Sequence, residues 1–201
     1  YAECSNTVQG SISTPVNSRP KLSRNAVKTY GAKLSELAKW MADQGMPLAY
    51  HHHMGSMIES QDDIDALMDG STDEVTLLYD TGHLHFGGAD VLATLDKWGD
   101  RIRHVHFKDV RADICDLVRA DNKSFLDAVI AGAFTVPGDP DGHIDFGAVT
   151  AQLKKMEFEG WIVVEAEQDP AHANPYTYSK LGYDHIIELC RDNGLAVALS
   201  R

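Results

Sequence analysis

Ile102-Arg103-His104-Val105-His106-Phe107-Lys108-Asp109 alternates apolar and ionisable side chains. On a strand that alternation sends His104, His106 and Lys108 to one face and Arg103, Val105 and Phe107 to the other. If Val105 and Phe107 meet a layer of helices, two histidines and a lysine point to a shared axis, with Lys108 nearest the C-terminal mouth. Read alone, the run equally suits a surface edge strand with solvated polar side chains. Three other segments tip the reading: Ala49-Tyr50-His51-His52-His53, Leu78-Tyr79-Asp80-Thr81-Gly82-His83 and Trp161-Ile162-Val163-Val164-Glu165-Ala166-Glu167 each close a β-prone run on His, Asp or Glu. Convergence of strand-end ligands is how an α/β barrel builds a divalent-metal site.

Helical spacing separates these runs. Ser23 precedes a stripe of Val27, Tyr30, Leu34, Leu37 and Met41 that stops at Gly45, and Ser60 precedes Ile64, Leu67 and Met68 with a stop at Gly70. Val91, Leu95 and Trp98, then Val149, Leu153 and Met156, and finally Leu181, Ile186 and Leu189 line further helices. Alternating helices and strands imply parallel strands joined by right-handed crossovers. The fold expected is therefore α/β, of the TIM (β/α)8 barrel type. Counting Tyr1–Cys4 as the first, the pattern supplies about five strands, fewer than a closed barrel needs. The chain reads as a single domain over 1–201 that forms the C-terminal five βα units of a barrel. The Ser-, Pro- and Gly-rich stretches 4–22 and 137–142 read as long loops on the functional rim.

The formal charge of -12 disfavours nucleic acid and anionic membranes as partners. A neutral polar substrate or a cation suits it better. Three scattered cysteines signal neither a disulfide framework nor a zinc ribbon and fit a reducing cytoplasm. No apolar run approaches a membrane span, and no signal peptide is evident.

On the strand closing at Glu167, alternation groups Val163, Glu165 and Glu167, so two carboxylates share one face. One could bind a metal while the other handles a proton, since confinement pushes paired carboxylates apart in pKa. Either could instead only pair with a nearby Lys or Arg. Gly82 allows a tight turn that lets Asp80 and His83 face one centre; the plainer reading has Asp80 capping a helix and His83 solvated. His51 and His53 can point inward together, or His52 alone, because neighbours on a strand alternate. Glu59 is a further oxygen donor on the same loop. Oxygen and imidazole donors without thiolate favour Mn, Co, Mg or Zn.

The segments YHHHMGSMIES, LLYDTGHLHFGGAD, IRHVHFKDVR, FTVPGD, HIDF and WIVVEAEQDPAHANP, in this order, closely resemble the inosose dehydratase family of inositol catabolism. The resemblance runs from Tyr1 to about Leu189 and includes YAECSNTVQGS and RPKLS. More broadly the chain is similar to xylose-isomerase-like barrels, which include sugar epimerases and apurinic endonucleases. The resemblance implies Asp80, His106 and Glu165 as metal ligands, with His51 or Glu59 as the fourth. It places His83 where relatives bind substrate or a second metal, and gives Lys108 a substrate or proton-transfer role. With His53 at the substrate, the implied catalytic residues are Lys108, Glu167 and His83. The implied reaction removes water from 2-keto-myo-inositol, a small polyol ketone, with Mn or Co, and with glutathione as a further candidate cofactor. Keto-sugar isomerisation or epimerisation is the alternative, and an inactive metal-binding fragment the second. The resemblance also implies roughly a hundred preceding residues holding the first strands of the barrel. Without them an open sheet edge and part of the core are exposed, and the expectation is either that the chain does not fold alone or that it pairs with another copy as a homo-oligomer.

Overall fold

The computed structural model describes residues 10–198. The expected first strand, Tyr1–Cys4, lies outside them. Ser23 accepts the Ala26 amide and caps α1 (Arg24–Asp43), whose Val27, Leu34 and Ala38 are buried. β1 (Leu48–His51) follows, then α2 (Gln61–Asp69), which opens with a reciprocal Ser60–Asp63 capping box. After them come β2 (Val75–Asp80), α3 (Thr81–Phe86), α4 (Val91–Trp98) and β3 (Ile102–Phe107). The chain continues through β4 (Asp109–Val110), α5 (Ala112–Ala120), α6 (Phe125–Ile130) and β5 (Phe134–Thr135). It closes with α7 (Phe146–Lys155), β6 (Trp161–Val164) and α8 (Pro175–Asp192).

Four strands form one parallel sheet in the order β1-β2-β3-β6. Among the described residues the sheet is open, with β1 and β6 at its edges. One face carries Leu48, Tyr50, Val75, Leu77, Tyr79, Val105 and Phe107 into the main core against the helices. The opposite face carries His51, Asp80 and His106 at the strand ends. Between β2 and β3 the register slips by one residue: Leu77 pairs with Ile102, but Leu78 pairs with His104. Arg103 is the extra residue, and beyond it Asp80 stands opposite His106.

A second, smaller core of Val16, Met54, Phe86, Phe125 and Phe134 lies under β4 and β5, which pair antiparallel. This pair and α3, α5 and α6 are additions to the expected element list. A cleft of about 840 Å³ runs beside β6, lined by Phe158, Trp161, Ile162, Tyr183 and Val197 among others; none of the strand-end His, Asp or Glu side chains lines it. Among the described residues, no helix is long and apolar enough to cross a membrane.

Candidate metal centre

Each strand of the sheet delivers one piece of a buried polar cluster. β1 ends on His51, β2 on Asp80, and β3 supplies His106 and, one step past its end, Lys108. Beyond β6 the Glu165 amide donates to Phe107 O at 3.1 Å, which continues the pairing and turns Glu165 toward the same face. His106 Nδ1 lies 3.1 Å from Glu165 Oε1 and 3.4 Å from Asp80 Oδ2, and His51 Nε2 lies 3.8 Å from Asp80 Oδ2. Lys108 Nζ donates to Glu165 and Glu167 at 2.7 Å each and to His83 Nε2 at 2.9 Å. The two carboxylates thus share one ammonium instead of facing each other unscreened.

Asp80 has two jobs. Oδ1 accepts the His83 amide at 2.9 Å and caps α3, which swings His83 back over the cluster and buries it. Oδ2 is buried and has no hydrogen-bond partner among the described residues. The Lys108 ammonium lies 3.5 Å from it, and a bound cation would give this ionised oxygen a direct partner as well. Burial opposes ionisation of Asp80, yet the Lys108 ammonium beside it holds its carboxyl well below the usual range.

Three overlapping groups bring one ligand atom per residue within 4.8 Å of one another: Asp80, His106 and Glu165; His51, Asp80 and His83; and His53, His83 and Glu167. Oxygen and nitrogen donors in this mixture suit a divalent ion. The aligned pair His51 and His53 enters these groups. His52 points elsewhere: it is buried, and the Asp80 amide donates to its Nε2 at 3.4 Å.

Glu59 needs correcting as a candidate ligand. Its carboxylate accepts the Gly55 amide at 2.7 Å and lies 3.3 Å from Arg19 Nε and 3.2 Å from Arg119 Nη2. Two guanidiniums and an amide saturate it, so it belongs to none of the donor groups. Other contributors carry no sequence signal for this role. The Thr81 hydroxyl donates to Lys108 O at 2.7 Å and accepts the Lys108 amide at 3.1 Å, tying α3 to the end of β3. Phe134 places its ring 5.2 Å from His83 and 5.0 Å from Lys108 Nζ, while Phe125 packs 5.5 Å from His53. They wall one side with apolar surface.

Burial pushes His51 down to about 2 and His52 down to about 4, and it lowers His83 as well. All three are neutral in the folded protein at pH 7. Below the ordinary histidine value of about 6.5, the unfolded chain binds protons that the folded chain refuses. Their contribution to stability is therefore complete above that value and is lost as pH falls toward 4 and, for His51, toward 2. Denaturant melts of the metal-free chain should show stability falling by roughly 1.4 kcal/mol per pH unit for each histidine. A flat profile between neutrality and pH of about 5 would contradict this charge state.

Residues 4–198 match the family described as xylose isomerase-like TIM barrel. The chain belongs to that family. Among relatives of this xylose isomerase-like chain is the rhizopine catabolism protein MocC of Rhizobium meliloti, 42% identical over 198 residues, which cover 98% of this chain and 60% of the relative. Another is an inosose dehydratase of Geobacillus thermodenitrificans, 47% identical over 192 residues, covering 94% and 63%. The chain therefore spans about three fifths of the length of these relatives. A solved structure of the IOLI protein with a bound zinc atom superposes with a TM-score of 0.56 at 20% identity, covering 88% of this chain and 58% of that one. That likeness shows the shared fold.

Proposed function

We propose that this site belongs to a metal-dependent hydro-lyase that removes water from 2-keto-myo-inositol to give a trihydroxycyclohexane-dione. The observation that carries the reading is the Asp80, His106 and Glu165 donor group set directly against the Lys108–Glu167 pair. A metal-binding group and a proton-handling group side by side are what elimination next to a ketone requires. The similarity to inosose dehydratases supports the substrate. Zinc in a solved structure of the same fold supports a divalent ion.

Asp80, His106 and Glu165 would hold the ion, with His51 as the fourth ligand. Mn or Co suits this donor set, with Mg and Zn as alternatives. When bound, the ion polarises the substrate carbonyl and acidifies the neighbouring C–H. Glu167 lies outside the Asp80, His106 and Glu165 group and its side chain is 30% exposed, so it can meet substrate from solvent and accept the α-proton. The same carboxyl then delivers that proton to the departing β-hydroxyl, which leaves as water. Lys108 serves differently. Burial alone would push its ammonium down, but Asp80, Glu167 and Glu165 outweigh burial and raise it above its ordinary value. It stays charged, orients Glu167 and stabilises the negative oxygen that develops as the proton leaves. His83, neutral and hydrogen-bonded to Lys108, and His53 complete the substrate side.

The test is the product mass when the chain, supplied with Mn²⁺, is incubated with 2-keto-myo-inositol, alongside a chelated control. Metal-dependent loss of one water is the expected result. Unchanged mass with altered stereochemistry would instead assign the site to keto-sugar isomerisation or epimerisation, and unchanged substrate would leave a metal-binding fragment without turnover.

A further inference from the structure

Lys108 carries its charge into the middle of the donor groups. Besides the contacts to Glu165, Glu167 and His83, Nζ lies 3.5 Å from Asp80 Oδ2. His83 and Glu167 are two of the three members of the group completed by His53, whose ligand atoms lie within 4.8 Å of one another. An ammonium at 2.7 and 2.9 Å from two of those ligands takes the space and the charge that a divalent ion would need there. The Asp80, His106 and Glu165 group is left open by comparison. Lys108 engages Glu165 through Oε2, while Oε1 faces His106.

The lysine has little freedom to leave. Its stem crosses Gly82, where a Cβ would stand 2.7 Å from Lys108 Cγ and 2.9 Å from Cδ. Its backbone is fastened at both N–H and C=O to the Thr81 hydroxyl.

We infer that Lys108 is the protein's own cation in the half of the cluster formed by His53, His83 and Glu167, so that the site takes one divalent ion with Lys108 present and two without it. Only the first of these ions rests on the metal-dependent reading above.

The experiment counts Mn²⁺ bound per chain after equilibrium dialysis at neutral pH. Lys108→Met keeps the stem over Gly82 and removes the charge; Lys108→Gln is a second neutral replacement. The expected counts are one for the wild type, two for each folded single variant and one again for Lys108→Met combined with Glu167→Gln. A count that stays at one in the neutral variants, or a wild type that already binds two, overturns the inference. A wild type that binds none removes the metal-dependent reading, while an ion gained by the Lys108 variants and lost with Glu167→Gln would leave the inference standing. No ion in any of the chains overturns both.

Discussion

Asp80→Asn is expected to leave the fold standing and to weaken divalent-metal binding by well over a hundredfold, beyond the 10–100-fold that outer-shell changes typically cost. The substitution is close to isosteric. The asparagine oxygen can still accept the His83 amide, so the cap on α3 survives and His83 keeps its place. What disappears is the charge on Oδ2, the buried oxygen that no hydrogen bond satisfies. Calorimetric titration with Mn²⁺, with far-UV circular dichroism as the fold control, makes the comparison. A folded Asp80→Asn chain with wild-type metal affinity would remove Asp80 from the ligand set, and with it the metal-dependent reading.

Glu59→Gln is expected to act on stability and to spare the metal. Glu59 is 4% exposed and sits between Arg19 and Arg119, drawing together the 10–22 segment, the loop after β1 and the end of α5. Removing one member of a buried ion pair costs about 3–5 kcal/mol because the partner charge stays behind. Arg19 keeps Asp63 at 2.7 Å, so the lower end applies here. For a chain of this size, about 3 kcal/mol lowers the melting temperature by roughly 6–12 °C. Metal affinity should change less than about tenfold, the lower edge of an outer-shell effect. Outright loss of metal at an unchanged melting temperature would restore Glu59 as a ligand.

These two carboxylates mark where sequence reading succeeds and where it stops. Asp80 is legible because it closes Val75–Tyr79, an apolar run long enough to fix a buried strand, and strand ends are where barrel ligands lie. His106 and Lys108 are legible by alternation with Val105 and Phe107. Glu59 looked equally suitable, since its distance from His51 along the chain is short. The guanidiniums that claim it come from positions 19 and 119, and nothing local announces either. The turn expected at Asp80-Thr81-Gly82-His83 is a helix start, and the capping and cluster-facing readings of Asp80 prove compatible because its two oxygens serve them separately. α6 did leave a trace, the Ser124–Asp127 capping box. β4 and β5 left none, because two-residue strands are too short for any periodicity to register.

The slipped register between β2 and β3 makes the cluster a matter of counting as well as of chemistry. Were the pairing of Leu77 with Ile102 continued without a break, Asp80 would stand across from Val105, an apolar side chain that belongs to the opposite face. Arg103, exposed and in none of the donor groups, is the extra residue that the bulge absorbs so that Asp80 meets His106. A chain that ran these two strands together without the bulge would keep every histidine and carboxylate of the sequence and every apolar residue of the core, yet set the strands out of step. Such a chain would pass any inspection of its motifs and lack the site they describe.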